Sequence, residues 1–295
     1  MMSQTDAATL RPAIIEAQGL RKSYGRFTAL QPCSFTIPLG RVYGVIGANG
    51  AGKTTLLNAV LGLIRAEGEV RVLGLDPAKK RDALMQDICF IADVATLPRF
   101  MKVQQLLSYV EGVHPKFSRA KTLSYLERTK IPMNKPIKAL SKGMVTQLHL
   151  AIVMGIDARL LVLDEPTLGL DILFRKAFYR DLLEDYFDEE RTIIITTHQV
   201  EEIENILTDV IFIKDGAITL DASMEYLESR FAEVTTGPEK LAEARALHPL
   251  YERTALGRTS FCFDGADRAA LKALGPVKRM SLADIFIAKM SGDAQ

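Results

Sequence analysis

The chain has 295 residues, enough for one large domain or two modest ones, and 48% of them are hydrophobic and 25% charged, as in a globular protein with a sizeable core. Lys and Arg number 37 against 36 Asp and Glu, so the net charge of +1 argues against a nucleic-acid partner or a polybasic membrane anchor. The three cysteines form no CxxC pair, which argues against a disulfide framework or a zinc site.

The sequence contains no signal for a signal peptide or a membrane span. The first residues lack a basic segment followed by an apolar one. The longest apolar stretch, 148–163, is interrupted by Asp157 and Arg159 and is shorter than the roughly 20 residues of a spanning helix. We therefore expect a cytoplasmic protein that reaches a membrane only through a partner.

Between residues 42 and 207, short runs of β-branched residues alternate with longer stretches of helical pattern. This alternation predicts an α/β fold with a mainly parallel sheet and helices on both faces. Strands are predicted over 42–46, 70–74, 88–92, 160–164 and 192–196. Helices are predicted over 54–64, 172–187 and 200–207.

Three regions depart from this alternation. The segment 97–154 lacks a strand pattern and is predicted to be an inserted helical subdomain, with helices over 103–113, 119–130 and 143–154. Residues 211–220 have the pattern of a hairpin with an Asp-Gly turn. After Arg230 the composition and pattern of the sequence change. This change predicts a larger domain over 12–230, followed by a linker and a small accessory domain over 235–290.

The stretch GANGAGKT, which begins at Gly47, fits the pattern G-x-x-x-x-G-K-[ST] between a predicted strand and a predicted helix. Glycines there let successive N–H groups point at phosphate, and the helix N-terminus adds a positive dipole. Lys53 supplies charge for the β- and γ-phosphates, and the Thr54 hydroxyl can ligate Mg²⁺. The nucleotide-binding residues predicted here are Gly47, Asn49, Gly50, Ala51, Gly52, Lys53, Thr54 and Thr55.

A second motif, LLVLDEP, begins at Leu160 and reads as a buried strand that ends in two carboxylates. Ligands of open α/β sheets bind at the carboxyl ends of the strands. Asp164 is therefore predicted to hold Mg²⁺, directly or through water. Glu165 is predicted to polarise an attacking water as general base. The alternative is a strand that simply ends in solvated acids.

Between these motifs, ALSKGMVTQLHLA resembles the signature segment of the ABC family, usually LSGGQ. In that family, the segment from one protomer closes over the γ-phosphate bound by the other, which implies roles for Ser141 and Gly143. The alternative is that Ser141 is only a helix N-cap. The downstream TLGLD resembles the D-loop of the same family, which implies that Asp171 reaches the opposite site.

Two further matches complete the resemblance, which extends over about residues 14–230. TTHQVEE resembles the segment with the switch histidine, which implies that His198 contacts the γ-phosphate. Tyr24 fits the aromatic residue that stacks on adenine, although a tyrosine packed on a neighbour is the alternative. The LSKGM variant and the small C-terminal tail are similar to cassettes of the ABC type 2 exporter family, in which the ATPase is a separate polypeptide.

Two positions differ from the common family pattern. Asp93 stands where the family has the Q-loop glutamine. A carboxylate is a hard ligand for Mg²⁺, so Asp93 either keeps a metal contact or is a turn residue without one. Lys142 replaces the first glycine of the signature and either adds charge near the γ-phosphate or points to solvent.

The resemblance implies a P-loop NTPase core of the RecA-like type, with an antiparallel β-subdomain and an inserted helical subdomain. It further implies a homodimer or paired cassette around two Mg-ATP that drives a separate multi-spanning permease, with export as the expected direction of transport. Two alternatives stay open: a non-transport ABC ATPase acting on ribosomes or DNA, and a catalytically weak cassette that only tethers a membrane complex. The sequence gives no transported substrate.

Overall fold

A computed structural model describes residues 11–92, 97–255 and 257–291. Within this part of the chain, no helix has both the length and the hydropathy that crossing a bilayer requires. The strands are β1 (Ala13–Tyr24), β2 (Phe27–Pro38), β3 (Val42–Ile46), β4 (Glu67–Val72), β5 (Ile88–Ile91), β6 (Leu160–Asp164), β7 (Thr192–Thr197), β8 (Asp209–Lys214), β9 (Ala217–Ser223), β10 (Phe231–Thr236), β11 (Tyr251–Ala255), β12 (Arg258–Asp264) and β13 (Val277–Arg279). The α-helices are α1 (Lys53–Val60), α2 (Arg81–Leu84), α3 (Val103–Val113), α4 (Arg119–Leu126), α5 (Lys142–Met154), α6 (Ile172–Asp181), α7 (Val200–Ile203), α8 (Met224–Arg230), α9 (Leu241–Ala246), α10 (Arg268–Leu274) and α11 (Leu282–Ser291).

The central sheet has six strands in the order β5-β6-β7-β3-β8-β9. The first five are parallel, and β9 pairs antiparallel with β8 through the predicted Asp-Gly hairpin. All residues of β3, β6 and β7 are buried, as expected for strands covered on both faces. Because these three strands are neighbours and parallel, their carboxyl ends meet at one edge of the sheet.

A three-stranded antiparallel sheet, in the order β2-β1-β4, lies over one face of the central sheet. Helix α1 packs between the two sheets, and the shared core includes Leu30 of β2, Leu57 of α1 and Ile194 of β7. Residue patterns predicted only β4 here, and the antiparallel sheet itself was an expectation from the family resemblance. Its presence confirms that expectation.

The segment 97–154 contains α3, α4 and α5 and no strand, as predicted. Ser118 and Ser141 cap α4 and α5, and each side chain accepts a hydrogen bond from the backbone N–H three residues later. Leu106 and Leu148 of these helices share a hydrophobic core with Leu161 of β6. The helical segment is thus attached to the face opposite the antiparallel sheet.

The C-terminal part forms a four-stranded antiparallel sheet in the order β11-β12-β10-β13. A small separate core lies between this sheet and helices α9 and α10, with Phe261 and Leu271 fully buried. Helix α11 returns to the larger part of the molecule, where Phe286 meets Phe212 of β8 edge-on with ring centroids 5.2 Å apart. The accessory unit therefore has its own core and also packs against the central sheet.

Candidate functional site

The glycine-rich loop between β3 and α1 has a backbone that requires glycine at three positions. Gly50 and Gly52 have φ values of 80° and 109°, which side-chain-bearing residues rarely adopt. A Cβ on Gly47 would lie 2.5 Å from the carbonyl oxygen of Ile213, and one on Gly52 would lie 2.7 Å from that of Ala29. The loop is therefore packed closely against β8 and β2 at Gly47 and Gly52, whereas a Cβ on Gly50 would meet no atom within 4 Å.

Lys53 begins α1 and lies with only 7% of its surface exposed. Its Nζ donates hydrogen bonds to the carbonyl oxygens of Gly47 at 2.8 Å and Ala48 at 3.2 Å. These are neutral acceptors, so the loop encloses a buried ammonium whose positive charge is not balanced by them. Such a group fits an anion, and the phosphates of a nucleotide supply one.

Asp164 ends β6 and is almost completely buried. Its Oδ2 accepts a hydrogen bond from the Thr54 hydroxyl at 2.8 Å, and its Oδ1 accepts one from the Thr196 hydroxyl at the end of β7. A carboxylate and a hydroxyl are oxygen donors of the kind that Mg²⁺ prefers. The two predicted metal residues, Thr54 and Asp164, are therefore adjacent and fit this ion.

Glu165 follows Asp164 in the left-handed region of backbone space, with φ at 48°. Its N–H donates to both the carbonyl and the hydroxyl oxygen of Thr196, each at 3.1 Å. This strained turn directs the side chain toward the end of β7, where its Oε2 lies 2.9 Å from His198 Nδ1. The structure thus brings the predicted general base and the predicted switch histidine into direct contact.

The residues predicted to serve an opposite protomer lie at the starts of two helices. Ser141 is the N-cap of α5, and its hydroxyl accepts from Met144 N at 3.2 Å. Asp171 is the N-cap of α6, and its Oδ1 accepts hydrogen bonds from the backbone N–H groups two and three residues later. Gly143 lies near the 167–171 loop, since a Cβ built on it would be 3.9 Å from Gly169 O. The N-cap role of Ser141 is therefore present, and its role across a dimer stays a prediction.

Tyr24 ends β1 with about half of its surface exposed. Lys22 Nζ lies 4.8 Å from the centroid of its ring, in cation–π distance. The ring thus contacts a neighbouring side chain while about half of it stays exposed, so the packed alternative is present in part and stacking on adenine stays a prediction. The predicted Q-loop residue Asp93 lies outside the described residues. Lys142 is exposed, and both of its alternatives, charge near the γ-phosphate of a partner and a side chain in solvent, stay open.

A cleft of about 290 Å³ lies between α5 and the segment after β6, and Glu165 and His149 both line it. Burial lowers the pKa of His149 to about 4, so this imidazole is neutral near pH 7. Its Nδ1 is buried without a hydrogen-bond partner among the described residues. Glu165 therefore borders a partly apolar cleft on the side of the helical segment.

Two residues of this region were not identified from the sequence. Thr196 donates to the carboxylate of Asp164 and accepts from the backbone N–H of Glu165, and its signal was a polar residue at the end of an apolar strand, beside the strand that ends in Asp164. Arg175 contacts the loop after Glu165 and the loop after His198. In the sequence it is a single arginine on a predicted helix, and nothing in that pattern indicates contacts with either loop. Within the described residues, no cluster of three or more His, Cys, Asp or Glu residues forms a metal site.

Comparison with known proteins agrees with this geometry. A family profile described as "ABC transporter" matches residues 30–168. The chain is 32% identical to the Nod factor export ATP-binding protein I of Paraburkholderia xenovorans (strain LB400), over 85% of this chain and 86% of the relative. It is 25% identical to the ABC transporter ATP-binding protein YtrB of Bacillus subtilis (strain 168), over 95% of this chain and 99% of the relative.

Among solved structures, cbiO1 from Clostridium perfringens, described as part of the ABC transporter complex cbiONQ, is 27% identical with a TM-score of 0.60. The likeness covers 72% of this chain and 88% of that one. Family membership by sequence, the ATPase-type fold and the arrangement of the strand-end residues agree with one another. The chain belongs to the ATP-binding subunits of ABC transporters, which hydrolyse ATP to power transport.

Proposed function

We propose that two copies of this chain, or this chain and a paired cassette, enclose two Mg-ATP at their interface and drive a separate multi-spanning permease. The observation that carries the proposal is the meeting of Lys53, Thr54, Asp164, Glu165 and His198 at one edge of the central sheet. Export is favoured by the names of relatives, which include Nod factor export and lantibiotic transport proteins. The chain would then act at the cytoplasmic face of the membrane.

The residues of one protomer divide the work of phosphoryl transfer. Lys53 and the loop N–H groups bind and orient the phosphates, and Thr54 and Asp164 hold the metal. Magnesium, when bound, supplies positive charge that neutralises the phosphate oxygens. Glu165 accepts a proton from the attacking water, and its strained backbone and the contact with His198 fix the direction of its carboxylate.

The number of N–H groups on the imidazole of His198 limits the hydrogen bonds that it can donate. A neutral imidazole carries one N–H, so a ring that donates from Nδ1 to Glu165 has only an acceptor at Nε2. His198 can donate to Glu165 and to the γ-phosphate at the same time only as the imidazolium.

The second protomer completes the site. Ser141 and Gly143 at the start of α5 offer a hydroxyl and a helix N-terminus to the γ-phosphate of the partner's nucleotide. Asp171 extends from the loop that follows Glu165 and reaches toward the opposite site. Asp93 is proposed to contact the metal in the place of the family's glutamine.

The test is the variant Glu165→Gln, which keeps the shape of the side chain and removes its basicity. ATP binding should persist, while hydrolysis should slow by about 10²–10⁴-fold. The ATP-bound dimer should accumulate and be visible by size-exclusion chromatography with Mg-ATP. Glu190→Gln, the same change at an exposed position, is the control and should behave as wild type. Wild-type turnover in Glu165→Gln would refute the proposed role.

A further inference from the structure

Arg175, on the first turns of α6, connects two loops that the sequence keeps far apart. Its Nε donates to the carbonyl oxygen of Leu170 at 2.7 Å. Its Nη1 donates to the side-chain oxygen of Gln199 and, at 2.5 Å, to Oε1 of Glu202. Only about a fifth of the arginine side chain is exposed, so solvent screens these contacts weakly.

The two loops held by Arg175 are the ones that follow the two residues of the hydrolytic pair. Leu170 belongs to the loop that leads away from Glu165. Gln199 directly follows His198, and Glu202 lies three residues after Gln199. The Glu165–His198 contact joins the same two segments at 2.9 Å. The segments that contain Glu165 and His198 are therefore connected twice, once by the contact between these two side chains and once by the guanidinium of Arg175.

The surroundings of Glu202 indicate that its ion pair with Arg175 holds the turn after His198 in position. About a quarter of its side chain is exposed, but its Oε2 atom is buried and has no hydrogen-bond partner among the described residues, so the contact of Oε1 with Arg175 compensates the charge of a half-buried carboxylate. An unpaired buried carboxylate is costly, and loss of the arginine would move the Glu202 turn toward solvent. Because His198 lies four residues before Glu202, such a movement would displace the imidazole.

We propose that Arg175 is a positioning residue, which sets His198 and the 167–171 loop against Glu165 and thereby controls the hydrolytic step but not ATP binding. This inference rests on the proposed function of the Glu165–His198 pair. A planar guanidinium can serve three acceptors in fixed directions, whereas an ammonium provides one point of charge. This position is therefore expected to require arginine, and another cationic residue such as lysine should not replace it.

The experiment compares Arg175→Ala, Arg175→Lys and Glu202→Gln in the full chain, with measurement of kcat, KM and equilibrium ATP affinity. In Arg175→Ala, kcat should fall by about 10–100-fold, the usual effect of displacing a reacting group by an ångström or less. ATP affinity should stay within about twofold of wild type, since the contacts of Lys53 are unchanged. Arg175→Lys should be nearly as slow as Arg175→Ala, and Glu202→Gln should lie between them and wild type.

Arg180→Ala is the matched control, because Arg180 lies on the same helix and pairs on the surface with Asp181 and Glu184. It should leave kcat unchanged. Wild-type kcat in Arg175→Ala, or a parallel fall of kcat and ATP affinity, would overturn the inference. If Arg175→Ala does not fold, Arg175→Lys decides: a wild-type kcat there overturns the inference, and a selective loss of kcat supports it. Failure of the proposed function is separate, since it would show as wild-type turnover in Glu165→Gln.

Discussion

Asp164 and Glu165 are adjacent carboxylates with different surroundings, and the surroundings separate their roles. Asp164 is buried and receives hydroxyl hydrogen bonds from Thr54 and Thr196, which hold a charged carboxylate in one direction. Glu165 is partly exposed, borders the cleft and contacts His198. A carboxylate fixed by donors suits a metal ligand, and one beside a titratable ring suits proton transfer.

A third acid, Asp221 on β9, lies outside the nucleotide site and is partly buried next to Asp209. Burial, and then the charge of Asp209, raise the pKa of Asp221 to about 6 from its ordinary value of 3.8. A raised carboxyl pKa means that the folded state holds its proton more tightly than the unfolded state does. Stability is therefore lost as pH rises from about 4 to about 6 and is then constant with respect to this group.

The variant Asp221→Asn tests this assignment. It removes the charge and should raise the free energy of unfolding at pH 8 by up to about 3 kcal/mol, from a shift of roughly two pH units. The gain should be smaller at pH 5, where the wild-type carboxyl is mostly protonated in the folded state. Urea unfolding at both pH values measures the difference. Asp82→Asn, at an exposed position, should show no such pH dependence, and a pH-independent effect of Asp221→Asn would contradict the assignment.

At the residue scale, the sequence was informative where chemistry and local pattern coincide. Lys53 and Asp164 were predictable because a glycine-rich turn before a helix and an apolar strand ending in acids are local features. Thr196 and Arg175 were not, because their contacts join segments that only the strand order brings together. The same limit applied to the contact between Glu165 and His198, which are 33 residues apart.

At the scale of elements, most predicted helices and buried strands are present, and their ends depend on local backbone features. The helix predicted over 200–207 is shorter than expected, since only Val200–Ile203 is α-helical and a 3-10 turn follows. Helix α3 was predicted with its observed bounds, and α4 ends at Leu126, four residues before the predicted end. The helix predicted over 172–187 changes to a π-helical turn at Leu182–Tyr186, which side-chain periodicity does not reveal. Strands β1 and β2 contain several register shifts, which obscure an alternating pattern.

The helical segment presents an exposed aromatic residue close to the place where the chain leaves β5. Phe100 is 76% exposed, whereas Leu97 and Met101 are half-buried and pack against the core. The alternative that all three residues are ordinary core is therefore wrong for Phe100. An exposed phenylalanine beside half-buried apolar neighbours suits an anchor for a helix of a partner, here the proposed permease.

Phe100→Ala should therefore leave the melting temperature and basal ATPase activity of the isolated chain unchanged. Binding to the permease that co-purifies with the wild-type chain should weaken by about 2 kcal/mol, as for an interface hot spot. Leu247→Ala, at an exposed apolar position of the accessory unit, serves as the control and should bind as wild type. A lower melting temperature with unchanged permease binding would exclude the docking role.

At the scale of the whole molecule, the accessory unit contacts the segment that follows the switch histidine. The backbone N–H of Leu282, at the start of α11, donates to Oε1 of Glu204 at 2.9 Å. At the other end of the helix, Lys214 Nζ donates to the carbonyl oxygen of Met290 at 3.0 Å. Met280 and Ile285 share the core of the helical segment and of one face of the central sheet. The two units are therefore joined by a continuous apolar contact rather than by a linker alone.

This contact predicts that the accessory unit stabilises the whole chain. Phe286→Ala removes the edge-on partner of the fully buried Phe212 and should lower the free energy of unfolding by about 2–4 kcal/mol. Thermal unfolding should stay a single transition at a lower temperature, because both units lose the same packing. ATP affinity per folded molecule should not change, since Phe286 packs against a different core from the one that contains Ala51 of the phosphate loop.

The neighbouring Ile287 provides the matched control, because it lies on the same helix with its side chain about half exposed. Ile287→Ala removes apolar atoms from the surface and should change the free energy of unfolding by only about 0.5 kcal/mol. Calorimetry on both variants measures the difference. Two separate transitions in wild type, with only the smaller one shifted in Phe286→Ala, would show that the accessory unit unfolds independently and that α11 does not stabilise the ATP-binding part.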